Sequence, residues 1–388
     1  MKKIILVFIL LFSFISVQAL EINSKNAIMY NLNDNTIIFE KNSEEKVQIA
    51  SLTKIVTAIT VFNNVYDLNK QVIIEPKMLY GLEGYAALGL RIGDKLTYLD
   101  LLYALMLPSA ADAAQALAID ISGSITDFSE LMNKEIQKIG VTNSHFDNPV
   151  GMDSKNNYST ASDMAKILMY SLENETFKTI FNSFEYKIES LNKVVKKTTS
   201  SYNVDTSIIN GAKTGFTYVA GMCLASTSLI EDVNYLLVTL GAQVGTYNHA
   251  VDTINIYNYY SNNYGYINLL TENQLLHTIK VKDSKTKEYS IFSDKDVKLY
   301  LQKNIKDNLQ YKYIGIEELS RKIKKGDKLG IINIMSGEDI LHTYDVYLNA
   351  DISYYNYYLY FGILISLLIL SIVIIVLKRK KSLIKKGI

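Results

Sequence analysis

Cysteine is almost missing. Cys223 is the only one in the chain, so no internal disulfide framework can form, and its place in a strand-like run makes it a small buried hydrophobe. Tryptophan is absent while tyrosine is abundant at 29, and with the heavy use of Lys, Ile and Asn this reads as genomic base bias, not as function. An excess of charge of one sign is missing too. The 40 basic and 39 acidic residues give no case for nucleic-acid binding by bulk charge. Histidine is scarce, and His145, His249, His277 and His342 stand singly, as structural histidines do.

What is present is length, with long apolar runs at both ends. The 388 residues exceed one ordinary core, so two folded units with appendages are expected. Met1-Lys2-Lys3, the apolar run from Ile4 to Val17 and then Val17-Gln18-Ala19 read as a secretory signal peptide over residues 1–19. Leu359 to Leu377 is apolar apart from Gly362, Ser366 and Ser371. At helical rise it covers roughly 28 Å, about one hydrocarbon core. Tyr354, Tyr355, Tyr357, Tyr358 and Tyr360 form an aromatic belt before it, so residues 354–377 read as belt and transmembrane anchor. Lys378-Arg379-Lys380-Lys381 opens a basic tail, 378–388, that the positive-inside rule puts in the cytoplasm. The body of the chain is then extracytoplasmic.

The stretch with chemistry in it is Ile49-Ala50-Ser51-Leu52-Thr53-Lys54. From Leu52 to Phe62 the apolar residues recur at 52, 55, 56, 58, 59, 61 and 62, which reads as a helix buried on most of its circumference. Ser51 and Lys54 share one face of its first turn, a serine nucleophile beside a lysine base. The helix dipole, a neighbouring cation and partial burial should all lower the lysine's pKa. Ser-x-x-Lys also occurs at Ser43, Ser190, Ser284 and Ser382, all in polar, lysine-rich surroundings that read as solvated surface.

Ala27 to Leu32 and Thr36 to Glu40 read as strands around an Asn33-Asp34-Asn35 turn. Thr97-Tyr98-Leu99-Asp100 is a capping box opening a helix from Leu99 to Met106. Leu107-Pro108-Ser109 breaks it, and helical periodicity returns over Ala113 to Ile121 and Phe128 to Ile136. Asn148-Pro149-Val150-Gly151 is a turn, and Thr160-Ala161-Ser162-Asp163 caps a helix through Leu168. Antiparallel strands are expected at Tyr186 to Glu189, Ala212 to Phe216, Met222 to Ser228 and Tyr235 to Ala242. That order is α+β, with the first and last strands of the domain paired in one sheet beside a helical cluster. From about Leu270 alternation prevails, over Thr278 to Lys282, Glu288 to Phe292, Val297 to Leu301 and Tyr311 to Ile314, giving a small all-β domain that reads as a spacer or docking module.

Two further pieces carry chemistry. Ser109, on the break between helices, can set a hydroxyl against the Ser51–Lys54 pair. Gly211-Ala212-Lys213-Thr214-Gly215-Phe216 holds the only Lys-Thr-Gly of the chain. In a strand Lys213 and Gly215 share a face and Thr214 points away from it; the lysine offers a fixed cation for a carboxylate, and Gly215 admits a ligand backbone.

Ser-x-x-Lys, then a serine motif, then Lys-Thr-Gly resemble the penicillin-recognising serine enzymes, and most nearly the D-alanyl-D-alanine carboxypeptidases, the low-molecular-mass penicillin-binding proteins. Ala50-Ser51-Leu52-Thr53-Lys54, Gly89-Leu90-Arg91-Ile92-Gly93-Asp94, Asp100-Leu101-Leu102-Tyr103 and Tyr158-Ser159-Thr160-Ala161 frame the likeness, which covers about Ala27 to Ala242. Ile323 to Gly330 looks, more loosely, like the family's C-terminal sheet domain.

The resemblance implies a β-lactamase/transpeptidase-like domain over 20–265, an all-β domain over 266–353, and no metal or cofactor. It makes Ser51 the nucleophile on a peptidoglycan stem pentapeptide, Lys54 its base and Ser109 the proton shuttle. Lys213 and Thr214 hold the terminal carboxylate, Gly215 lies beside it, and the N–H groups of Ser51 and Phe216 form the oxyanion hole. β-Lactams are then acylating inhibitors. The family's second motif ends in Asn where this chain has Ala111, which implies a slower enzyme. A serine β-lactamase using Glu130, or a peptidoglycan-binding scaffold with weakened catalysis, are the alternative readings.

Overall fold

The Asn33-Asp34-Asn35 turn folds β1 (Asn26–Asn31) onto β2 (Thr36–Lys41), with Asn35 left-handed at φ 58°. The computed structural model describes residues 20–245 and 247–385, so the expected signal peptide lies outside the described residues. A 3-10 turn at Ala50–Leu52 leads into α1 (Thr53–Asn64), whose residues are all buried from Thr53 to Val61. The periodicity places Ser51 in the first turn of this helix; it sits instead in the tighter turn just before. A short ladder of β3 (Gln71–Ile73) with β4 (Lys95–Thr97) precedes α2 (Tyr98–Met106), which starts on the expected box, with Thr97 and Asp100 bonding each other's backbone N–H at 3.0 Å.

α3 (Ala111–Ser122) and α4 (Ile125–Ile139) follow, each ended by a glycine. α5 (Ala161–Leu172) is capped by Thr160, and α6 (Glu175–Asn182) by Asn174, whose side chain accepts from the N–H groups of Thr176 and Phe177. β5 (Glu185–Ile188) pairs with β6 (Lys193–Lys196) in a separate two-stranded ladder; the sequence reading puts the first of these among the strands of the main domain and passes over the second. β7 (Gly211–Thr217), β8 (Gly221–Ile230), β9 (Val233–Ala242) and α7 (Asn248–Asn263) complete the unit.

The main sheet is antiparallel, in the order β2-β1-β9-β8-β7. β1 and β9 pair from Asn26 with Leu240 to Asn31 with Tyr235, so the two ends of the domain do meet in the sheet. α5 lies against β1 and β9, and α1 is enclosed by α2 to α6. Ile55, Val56, Ile59 and Val61 are at most 2% exposed, and each such side chain contributes about 1.5–3 kcal/mol on burial. The outcome is a rigid α1 at the centre of a helical cluster, with β7 as the edge strand nearest its first turn.

The chain divides into two compact units between Asn262 and Asn263. The second is β-rich: β10 (Tyr264–Leu270), β11 (Leu275–Val281), β12 (Glu288–Phe292), β13 (Val297–Gln302), β14 (Leu309–Gly315), β15 (Glu318–Leu319), β16 (Lys328–Ser336) and β17 (Asp339–Tyr347). They form sheets β10-β13, β12-β11-β15 and β14-β16-β17 around a core of their own that includes Leu269, Ile279, Leu319, Ile332 and Ile334. The last helix, α8 (Tyr357–Lys385), carries a stretch from Tyr357 to Ser382 long and apolar enough to cross a membrane.

Candidate active site

Ala50 holds a left-handed backbone at φ 49°, unusual for a residue with a Cβ, and this kink delivers Ser51 to the head of α1. Lys54 Nζ donates to Ser51 Oγ at 2.9 Å and to the Val150 carbonyl at 2.7 Å. The lysine is 1% exposed. Burial pushes its amine down from 10.5 to about 7, with the Asp112 carboxylate pulling the other way. Burial thus dominates where the sequence reading shares the effect among dipole, cation and burial.

The carbonyl that meets Lys54 is placed by the Asn148-Pro149-Val150-Gly151 turn. Asn148 Oδ1 accepts from the N–H groups of Val150, Gly151 and Met152 at 3.1, 2.7 and 2.9 Å, and the Pro149 carbonyl accepts from Thr57 Oγ1 at 2.6 Å. Gly151, at φ +89°, lies so close that a Cβ there would sit 2.0 Å from the Ala50 carbonyl oxygen. Sequence reasoning finds this turn but not its duty, which is to hold the nucleophile's kink and the lysine together.

Ser109, like Ala50, has a left-handed backbone, at φ 64°, on the break between α2 and α3. Its hydroxyl accepts from Lys213 Nζ at 2.8 Å, and the same amine donates to the Thr214 carbonyl at 2.8 Å. Lys213 is 1% exposed, and burial first, then the charge of Lys54, holds its amine well below the usual lysine range. A Lys54 charge felt at Lys213 puts the two amines in one neighbourhood. Asp112 faces it from the first turn of α3. Its carboxylate accepts from the N–H groups of Leu88, Gly89 and Leu90 at 2.8, 2.8 and 3.0 Å, so the Gly89-Leu90-Arg91 segment is tied to the Ser109 break. The signal for Asp112 was a buried acid in a helix's first turn, which local pattern does not separate from a cap.

Gly215 closes the arrangement. A Cβ there would lie 2.8 Å from the Ile49 carbonyl and 3.1 Å from the Ser51 nitrogen, so β7 passes directly against the turn that carries the serine. Phe216 is next along this edge strand, half exposed, its ring edge-on to Tyr218 at 5.3 Å. Thr214 is nearly buried, beside Tyr202. Ala111 opens α3 with its N–H donating to the Ala86 carbonyl at 2.7 Å, and its methyl side chain is fully buried. Glu130 is exposed on α4. Of the other Ser-x-x-Lys matches, Ser43 donates to Glu40 at 3.0 Å and Ser284 to the Ser353 carbonyl at 2.7 Å.

The chain that pairs two serines with two buried amines has known relatives. The family model described as D-alanyl-D-alanine carboxypeptidase matches residues 14–244, and the penicillin-binding protein 5 C-terminal domain model matches residues 264–354. The D-alanyl-D-alanine carboxypeptidase DacF of Bacillus subtilis is 26% identical over 329 residues, 82% of this chain and 83% of the relative. Penicillin-binding protein 5 of Haemophilus influenzae shares the fold with a TM-score of 0.61 at 20% identity, over 86% of this chain and 98% of that structure. The Streptomyces K15 DD-transpeptidase matches with a TM-score of 0.57 at 27% identity, over 62% of this chain and 97% of that structure. The first model alone spans more than half of the sequence and includes Ser51, Lys54, Ser109 and Lys213. By that match the chain belongs to the D-alanyl-D-alanine carboxypeptidase family of serine peptidases.

Proposed function

We propose that this protein removes the terminal D-alanine from peptidoglycan stem pentapeptides through an acyl-enzyme on Ser51. Lys54, its amine lowered to about 7 by burial, is neutral often enough near neutrality to accept the Ser51 proton as Oγ attacks the carbonyl between the two D-alanines. The N–H groups of Ser51 and Phe216 receive the oxyanion, an expectation supported by the close pass of Gly215 against the Ser51 nitrogen. As the tetrahedral intermediate collapses the C–N bond breaks, and the proton held by Lys54 passes through Ser109 to the departing amine, leaving Lys54 neutral again. Lys213 and Thr214 hold the carboxylate of the leaving D-alanine. Water, deprotonated by the same lysine, then attacks the ester, releasing the shortened peptide and returning the proton to Ser51. β-Lactams enter the first half of this cycle and stay as the acyl-enzyme.

The observation that carries the reading is the pair of buried amines, each bonded to a serine hydroxyl, Lys54 to Ser51 at 2.9 Å and Lys213 to Ser109 at 2.8 Å. A surface Ser-x-x-Lys has no reason to bury its lysine, because an unpaired buried ammonium is costly. The exposure of Glu130 argues against its use as a deacylating base, and so against a β-lactamase of that kind. Ala111 favours a second reading, a scaffold that binds stem peptides and turns them over weakly. Release of D-alanine from an acyl-D-Ala-D-Ala peptide tests the proposal: the wild type should release it and Ser51→Ala should not. Binding of peptidoglycan with no release by the wild type selects the scaffold.

The same proposal places the chemistry in residues 20–265, outside the cytoplasmic membrane, after export on residues 1–19. Residues 266–353 serve as the spacer, α8 as the single anchor, and the basic tail as its cytoplasmic end.

A further inference from the structure

The β-rich unit carries charge that the mechanism does not use, and two of its loops meet the root of α8. In the loop between β11 and β12, Ser284 Oγ donates to the Ser353 carbonyl at 2.7 Å, and the Asp283 carbonyl accepts from the Tyr355 N–H at 2.8 Å. In the segment after β15, the Ser320 carbonyl accepts from the Tyr354 hydroxyl at 2.8 Å. Cations from both loops lie over the same tyrosines. Lys287 Nζ stands 5.7 Å from the centre of the Tyr355 ring, and the Arg321 guanidinium stands 5.8 and 5.6 Å from those of Tyr354 and Tyr357. Lys285 and Lys322 are close by in the chain, and all four cations are exposed.

None of the four has a carboxylate within salt-bridge distance among the described residues. The nearby acids are engaged elsewhere or outnumbered. Asp283 accepts from the Tyr357 hydroxyl at 3.2 Å, Glu288 stands across the ladder from Lys280, and Asp327 accepts from the Lys324 N–H at 2.8 Å. Asp351, exposed three residues before Tyr354, sets one charge against four. The sequence around the anchor gives no sign of this collar, because no basic residue lies between Lys328 and Lys378. The fold alone brings these cations there.

Their depth decides what can neutralise them. α8 is long and apolar enough to span a membrane from Tyr357 onward, so Tyr354, Tyr355 and Tyr357 sit where hydrocarbon gives way to water. A cation resting on those rings is held at the level of phospholipid phosphates. A guanidinium stacked on aromatic rings keeps its N–H fork for a phosphate, which can accept two of those bonds at once. A dissolved polyanion would match the charge but not the apolar helix that begins beside it.

We propose that Lys285, Lys287, Arg321 and Lys322 bind the headgroups of anionic phospholipids around the root of α8, which docks the β-rich unit on the membrane surface. This rests on the reading of α8 as a membrane anchor.

The test places the full chain in nanodiscs of phosphatidylcholine alone, and in nanodiscs with phosphatidylglycerol as a third of the lipid. Backbone hydrogen exchange is followed in residues 282–287 and 320–322. Exchange there should slow about fivefold or more in the anionic discs, the effect of a single basic residue at a charged membrane surface. High salt, which screens the attraction, should remove the difference. The combined variant Lys285→Gln, Lys287→Gln, Arg321→Gln, Lys322→Gln should lose it too. The same change at Lys378, Arg379, Lys380 and Lys381 should leave it, since those cations lie at the other end of α8. Equal exchange in the two discs, or slowing that survives in the fourfold variant or in high salt, overturns the proposal. If the fourfold variant fails to fold, lipid composition and salt still decide with the wild type. Equal slowing when a soluble glycerol-phosphate polymer is added to neutral discs overturns the lipid assignment in favour of a dissolved polyanion. A chain that enters neither disc overturns the anchor reading itself, and the inference falls with it.

Discussion

Replacing Lys54 by methionine should abolish acylation and still make the protein harder to unfold near neutrality. The amine is 1% exposed, and burial lowers it from 10.5 to about 7. The unfolded chain binds that proton up to the ordinary lysine pKa, so folding near neutrality must release it. The unfolded state therefore holds more protons between the two values, and the wild type gains stability as pH rises across that window and loses it as pH falls. The linkage costs the wild type about 4 kcal/mol at pH 7 and about 2 kcal/mol at pH 9. Methionine fills a similar volume without the charge but strands the Val150 carbonyl, which now accepts at 2.7 Å. A buried acceptor left unmet costs about 2 kcal/mol. The balance makes Lys54→Met more stable by about 2 kcal/mol at pH 7 and about equal to the wild type at pH 9. Guanidinium melts of both proteins at the two pH values read this directly. A Lys54→Met protein that is less stable at pH 7, by an amount unchanged at pH 9, would refute the claim that the lysine is held neutral by burial.

Other outcomes follow from the same geometry. Gly151→Ala puts a methyl 2.0 Å from the Ala50 carbonyl at a φ of +89°, and should cost more than about 3 kcal/mol in denaturant melts or leave no soluble protein. Ala111→Asn returns an amide to the mouth of α3 and should raise peptide turnover and penicillin acylation by roughly 5- to 150-fold, the worth of about 1–3 kcal/mol of polar contact; unchanged rates in a folded variant count against a polar role for that position. Penicillin acylation of the wild type should be half-maximal near pH 7, where Lys54 is half neutral, and fall about tenfold per pH unit on the acid side, because only the neutral amine accepts a proton. A flat acid limb in stopped-flow labelling would point to another base.

The parts of this molecule that local geometry decides were legible in the sequence. Ser51 and Lys54 are three residues apart, so one turn of helix of either kind brings them together. The Thr97–Asp100 box and the Thr160 cap are likewise local, and both hold. α6 had a signal that went unread, an Asn174 cap ahead of Phe177, Ile180 and Phe181 on one face. Alternation shows that Tyr186 and its neighbours are a strand without saying with which partner, so the pairing of β5 with β6 and not with the main sheet was not legible. The approach of Lys213 to Ser109 spans 104 residues, and no periodicity reports it. That convergence came from likeness to a family, and so did the roles given to Thr214 and Phe216. Asp112 and the duty of the Asn148–Gly151 turn depend on tertiary neighbours alone, so they became visible only with the fold.

Mass-spectrometric mapping of the residue acylated by benzylpenicillin addresses the central claim with the fewest intermediate steps. The account predicts a single modified residue, Ser51, and no label on Ser51→Ala or Lys54→Ala protein that remains folded. A stable adduct on any other serine, or undiminished labelling of folded Ser51→Ala, would contradict it.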